Sequence, residues 1–258
     1  MRIHVFASGS GGNCLLLEDR ETKILIDAGI SKRRVDAALK SLGCAMEQIG
    51  GVLITHEHSD HISGLESLVK NRETPVYAPH TVAARILGAK PGLDGNLRVI
   101  PVGQSFSVGA LHVTAFHTSH DTDESVGYRV EGEAVYAHAT DSGCITDEMR
   151  AALLGADTVL LESNHDEEML RYGPYPFYLK KRILSDRGHL SNAACAAFAR
   201  NLAENGTSRI ILAHLSRENN TPGKAMAETG QALLGTETEL YCAPVLGCLT
   251  VPVEKKQC

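Results

Sequence analysis

The stretch Thr55-His56-Glu57-His58-Ser59-Asp60-His61 decides how this chain is read. It sets four potential metal ligands, His56, His58, Asp60 and His61, within six residues, directly after the apolar run 51–54. A run of that length reads as a buried strand. A turn after a strand frees side chains from strict alternation, so several imidazoles and a carboxylate can converge on one pocket. Three histidines and an aspartate with no cysteine suit a divalent transition ion, zinc or manganese. A histidine-rich turn that only faces water is the plain alternative, and it leaves the further candidates downstream without a reason.

Outward from this turn, the same arrangement recurs. Residues 105–116 alternate with period two about Gly109-Ala110, which reads as a hairpin, and they run into His117 and His120. A second hairpin about Gly132 ends before Asp141, and the strand 209–213 ends before His214. Ligands at the ends of several strands, far apart in sequence, converge on one edge of a sheet. Of the two histidines near the first hairpin, His120 is preferred. It lies beyond the strand in a Ser-His-Asp turn that reaches inward, which leaves His117 as a partly buried strand residue. His80, His112 and His165 lack the strand-end placement, and His138, which lies near Asp141, is left out with them.

The remaining pattern supplies the frame. Strands at 3–7 and 14–18 flank Ser8-Gly9-Ser10-Gly11-Gly12-Asn13, read as a tight turn in preference to an anion cradle. A third strand, 23–27, ends in Asp27-Ala28-Gly29, and Ser31 is a plausible N-cap for a helix over 32–42. Further helices are expected at 62–71, 81–87, 146–154, 191–204 and 221–234, with two more in 164–188 around Gly173-Pro174-Tyr175-Pro176. Strands are expected at 75–79, 97–102, 158–162 (ending on Glu162), 239–242 and 249–253. An early meander answered by a later one, each interleaved with helices, predicts an α/β fold of two facing sheets with helices outside. No linker or low-complexity segment divides residues 1–258, so one domain is expected.

Composition narrows the function classes. At 43% hydrophobic residues the 258-residue chain has ample core, and a net charge of −6 gives no global polycation for nucleic acid. No apolar segment approaches the roughly 20 residues that span a bilayer. Residues 1–7 enter a strand without a secretory-signal pattern. Seven cysteines, including Cys258, are scattered and never spaced as Cys-x-x-Cys, which favours free thiols and a cytoplasmic location.

The combination of His56-x-His58-x-Asp60-His61 with His120, Asp141, His214 and the earlier Asp27 resembles the metallo-β-lactamase fold superfamily over essentially the whole chain. That resemblance implies an αββα four-layer sandwich with mixed sheets and a site for two divalent metal ions. His56, His58 and His120 would hold one ion, Asp60, His61 and His214 the other, and Asp141 would bridge them. Asp27 would orient a ligand. The stretches Ser8–Asn13, 161–166, 188–192 and 213–220 resemble the YycJ (WalJ) family, regarded as DNA exonucleases acting from the 5′ end. The stretch from His189 to Arg217 is also similar to ribonuclease Z. Neither the cap of the larger nucleases nor a tRNA-binding arm is present.

These resemblances imply a phosphodiesterase that attacks with a metal-bridging hydroxide, with DNA a better substrate expectation than RNA. Asp60 could accept the water's proton. His189 is the candidate general acid, with Glu162 fixing its tautomer, against the plainer reading of a histidine ahead of the Ser191 helix. Ser216, Arg217 and Asn219 are candidate phosphate contacts. Lys180, Lys181 and Arg182 read as a solvated face sooner than a strand guide, and Phe177 and Tyr178 as packed sooner than base-stacking. The rival function is a small-molecule metallohydrolase: a thioesterase of the glyoxalase type or a lactonase.

Overall fold

Central strands buried on both faces decide the layering. The computed structural model describes residues 1–255, so Cys258 lies outside the described residues. The first sheet takes β1 (Arg2–Ala7), β2 (Cys14–Asp19), β3 (Thr22–Ile26), β4 (Gly51–Leu53), β5 (Val76–Pro79) and β6 (Leu97–Ile100). The second takes β7 (Ser105–Val108), β8 (Leu111–His117), β9 (Val126–Glu131), β10 (Val135–Ala139), β11 (Thr158–Glu162), β12 (Arg209–Ala213) and β13 (Glu239–Cys242). The last strand, β14 (Leu249–Pro252), returns to the first sheet beside β1. Strand β11 is buried at all five positions, as expected where both faces of a sheet are covered and burial no longer alternates.

Each sheet has an antiparallel half and a parallel half. In the first, β14-β1-β2-β3 pair antiparallel and β3-β4-β5-β6 parallel. In the second, β7-β8-β9-β10 pair antiparallel and β10-β11-β12-β13 parallel. The two sheets share a core that includes Ile3, Leu17, Ile26, Val113, Tyr128, Tyr136 and Ile211.

Helices cover the outer faces. Val35 and Leu39 of α1 (Lys32–Ser41) pack on the first sheet with Val82 and Ile86 of α4 (His80–Ala89). Met149 of α5 (Asp147–Leu153), Phe198 and Leu202 of α8 (Asn192–Glu204), and Ala225 of α9 (Pro222–Ala232) cover the second. Each large apolar side chain so buried contributes roughly 1.5–3 kcal/mol relative to exposure. The result is the expected four-layer αββα sandwich. Among the described residues no helix is long and apolar enough to cross a membrane, and six cysteines are free.

One helix departs from expectation. The segment expected as a helix over 62–71 divides into α2 (Ser59–Ile62) and α3 (Leu65–Val69) around Gly64. The Gly64 N–H donates to the Ala28 carbonyl, and a Cβ there would meet the Ile30 carbonyl oxygen at 1.9 Å. The chain breaks its helix to dock on the Asp27-Ala28-Gly29 turn. The two helices expected within 164–188 are α6 (Glu167–Tyr172) and α7 (Phe177–Ile183).

Candidate metal centre

The site lies where strands of both sheets end on the same edge. Asp27 follows β3, the histidine turn follows β4, Asp141 follows β10, Glu162 closes β11 and His214 follows β12. Three of these, Asp27, Asp141 and His214, sit at φ of 60°, 58° and 55°. That left-handed conformation turns the chain sharply as each strand ends, and Asp and His are among the residues that tolerate it.

The side chains form two overlapping shells. Potential ligand atoms of His56, His58 and His120 lie within 4.8 Å of one another, and so do those of Asp60, His61 and His214. Asp141 sits between them: its Oδ2 is 3.4 Å from His61 Nε2, and its Oδ1 is 3.5 Å from His214 Nδ1 and 3.9 Å from His120 Nε2. His120 therefore joins the cluster. His117 does not, for its side chain is 52% exposed and pairs with Glu148 on the surface. The expectation of a partly buried His117 is corrected: it is the last residue of β8, on the face turned to solvent.

The ring nitrogens are oriented by partners behind them. Asp27 accepts from His61 Nδ1 at 2.7 Å and from the Thr55 backbone N–H and hydroxyl. The Thr55 hydroxyl is 3.1 Å from His56 Nδ1, and His120 Nδ1 donates to the Gly188 carbonyl at 3.2 Å. His56, His61 and His120 thus have Nδ1 occupied and Nε2 left to face the cluster.

These residues fit divalent ions on the evidence of their own chemistry. His56 Nε2, His214 Nε2 and Asp141 Oδ2 are buried without a hydrogen-bond partner, a costly state for polar atoms unless a cation meets them. Burial opposes charge at His61 and His214, yet Asp27 and Asp141 respectively push both imidazoles well above their usual range. His56, enclosed and beside His61, is instead held well below it. No lysine or arginine pairs with Asp27, Asp60, Asp141 or Glu162 among the described residues, so the negative field calls for an added cation.

Sequence comparison agrees with this geometry. The family described as "Beta-lactamase superfamily domain" matches residues 22–215. A protein named exodeoxyribonuclease YycJ, from Bacillus anthracis, is 38% identical over 90% of this chain and 89% of its own length. The chain belongs to the metallo-β-lactamase superfamily. Exodeoxyribonuclease WalJ of Streptococcus pneumoniae serotype 2 is 36% identical over 84% of this chain and 82% of its own. The metallo-β-lactamase fold protein YhfI of Bacillus subtilis superposes with a TM-score of 0.71 at 19% identity, covering 96% of this chain and 98% of that one. This is accordingly a hydrolase of the superfamily, with YycJ/WalJ relatives.

Beside the ligands, one buried carboxylate serves two imidazoles. Glu162, fully buried, accepts from His189 Nδ1 at 2.7 Å and from His214 Nδ1 at 2.9 Å through the same oxygen. Its other oxygen accepts the Ser142 N–H at 2.9 Å. Burial disfavours the Glu162 charge, but His189 and His214 hold its carboxyl well below the usual range. Burial likewise lowers His189, and Glu162 more than offsets it, so the imidazole is raised. The His189 side chain is 20% exposed. It lines a cavity of about 190 Å³ together with His214, Ser216, Ser10, Tyr175 and Arg182.

Of the expected substrate contacts, Ser216 lines that cavity and Arg217 is exposed beside it. Asn219 is corrected. It is 0% exposed, and Ser216 Oγ accepts its backbone N–H at 3.2 Å, so it shapes the turn from within. Three residues beyond Ser216, the turn has already carried it under the surface. Lys180 is not a solvated charge either, because its ammonium donates to the carbonyls of Arg171 and Gly173 at 2.8 Å each.

Asn13 was missed. Its Nδ2 lies 3.0 Å from His61 Nε2, its N–H donates to the Asp60 carbonyl, and its Oδ1 accepts the Gly9 N–H. The glycine-rich loop is thus a brace for the ligand turn. Arg187, which clamps the carbonyls of His120 and Thr122, was missed as well. The glycine density before Asn13 was the available signal for the first; nothing in the sequence marks the second.

Proposed function

We propose that this hydrolase is a phosphodiesterase that degrades DNA from a strand end, with two divalent ions, zinc or manganese, as cofactors. The observation that carries the reading is the His189–Glu162 pair at the cavity wall. The ligand shells would serve any superfamily hydrolysis, but a positioned imidazolium is needed most where the leaving group is a poor one such as an alkoxide. The names of the YycJ and WalJ relatives point the same way.

His56, His58 and His120 would hold one ion and Asp60, His61 and His214 the other, with Asp141 between. Bound there, such ions lower the pKa of water and neutralise phosphate charge. Asp60, the part-exposed carboxylate of the set, accepts the water's proton as its oxygen adds to phosphorus. His189 Nε2, its Nδ1 fixed by Glu162, donates a proton to the departing oxygen. Ser216 and Arg217 bind the phosphate oxygens. Asp27 keeps His61 in its ligating tautomer. Because both sheets supply ligands, we read 1–258 as one catalytic domain, acting in the cytoplasm.

The test is to incubate metal-loaded protein with 5′-phosphorylated single- and double-stranded DNA, RNA and a thioester panel, with Asp141→Ala as control. Nucleotide release from DNA that the substitution abolishes is expected. Thioester turnover abolished by the substitution, with every strand left intact, would overturn the proposal in favour of a small-molecule hydrolase.

A further inference from the structure

The arm formed by α6 and α7 carries an unpartnered surface beside the cavity. The described residues include three exposed aromatic side chains, Tyr172 at 80%, Phe177 at 81% and Tyr178 at 75%, and all three stand on this arm. Every other Phe and Tyr is at least partly buried. Exposing three rings on one short arm forfeits their burial energy and gives the fold nothing in return, so the arm calls for a ligand.

The arm is stiff and continuous with the site. Pro174 and Pro176 restrict the connection between its helices, and Lys180 ties α7 back to the end of α6. Arg182 pairs with Asp121, the neighbour of His120. Leu179, Arg182 and Ile183, one face of α7, line the same cavity as His189 and His214. Tyr178 lies four residues before Arg182 and thus next to it on the helix surface. Phe177 lies further round, four residues before Lys181. Helix α7 bears three cations and no acid in a chain of net charge −6.

We propose that this arm is a nucleobase-stacking platform for a single strand leaving the cavity, with Tyr178 at the rim and Phe177 beyond it. The proposal rests on the phosphodiesterase reading and adds what that reading lacks, a grip on the bases. Flat rings stack with any base, and the exposed Lys181 beside them tracks the phosphates, so the platform is tolerant of sequence and selective for unpaired strands.

The test compares an ordinary single-stranded oligonucleotide with one carrying abasic sites along the strand beyond the scissile phosphate. Both are assayed with the metal-loaded native protein and with Phe177→Ala/Tyr178→Ala. The native protein should favour the base-bearing strand, in KM, by between about 5- and 140-fold per stacked base. The double variant should lose that preference, and Tyr178→Phe should keep it. The chain has no tryptophan, so Tyr178→Trp provides a single, selectively excited tryptophan, whose emission the base-bearing strand should quench and the abasic strand should not.

A double variant that discriminates as the native protein does overturns the platform and leaves the nuclease reading standing. So does a shift from dimer to monomer on substitution with discrimination unchanged, which would assign the patch to a second copy of the chain. A native protein that neither binds nor cleaves a strand overturns both.

Discussion

Replacing His189 by alanine isolates the acid from the metal shells. The residue is one-fifth exposed at the cavity wall and belongs to neither the His56/His58/His120 nor the Asp60/His61/His214 set, although it neighbours Asp141, Glu162 and His214. Glu162 keeps the His214 Nδ1–H at 2.9 Å and the Ser142 N–H at 2.9 Å, so its charge stays solvated by donors and His214 stays oriented. What disappears is the imidazole that Glu162 fixes at Nδ1 at the cavity wall. A positioned acid is worth ~10²–10⁴ in rate, about 2.7–5.5 kcal/mol of barrier. The loss depends on the leaving group. Single-turnover cleavage of DNA, which expels an alkoxide, should fall by the full factor. Cleavage of bis(p-nitrophenyl) phosphate, which expels a stable phenolate, should fall less than about tenfold. Metal content should not change. Equal losses on both substrates would refute the reasoning, since they would mean that His189 acts through the shells; so would full activity on DNA.

Three further outcomes test other parts of the site. Asp27→Ala removes the acceptor behind His61 and should weaken metal binding by about 10–100-fold, measured by competition with a chelating dye; unchanged affinity would deny Asp27 its orienting role. His117→Ala should leave both metal content and turnover at native levels, and the loss of a metal equivalent would place the ligand on the wrong histidine. Gly29→Ala should lower the melting temperature by several degrees and release metal, because a Cβ there would sit 1.6 Å from the Asp60 carbonyl oxygen. A native melting temperature would show that the ligand turn is not held against the Asp27–Gly29 turn.

The ligands were legible because they cluster in one turn and recur at strand ends, a pattern that follows from where a sheet edge must lie. Glu162 was legible for the same reason, as the carboxylate closing β11. The sequence was least informative about what lies behind the ligands. Asn13 and Thr55 act through hydrogen bonds to residues 48 and 28 positions away, and such pairings exist only once the sheets have packed. Asn219 was misjudged because adjacency to a ligand in sequence says nothing of which way a turn directs a side chain. Phe177 and Tyr178 were expected to pack, since apolar rings usually do, and their exposure is a tertiary fact. The helix expected over 62–71 breaks because the Ile30 carbonyl occupies the space where a Gly64 side chain would stand, a contact that local periodicity does not encode.

The left-handed residues at the strand ends have a consequence for how this chain can be improved. Asp27, Asp141 and His214 each adopt a conformation that disfavours a residue bearing a side chain by about 1 kcal/mol or more. Glycine would relax all three positions. At Asp27 the Thr55 and His61 donors would be orphaned by glycine, but at Asp141 and His214, which bury unpartnered Oδ2 and Nε2 atoms, a selection for thermal stability alone would press toward glycine and away from chemistry. Stabilising substitutions in this fold belong in the helical layers, where α8 and α1 can be tightened without touching the edge at which the strands converge.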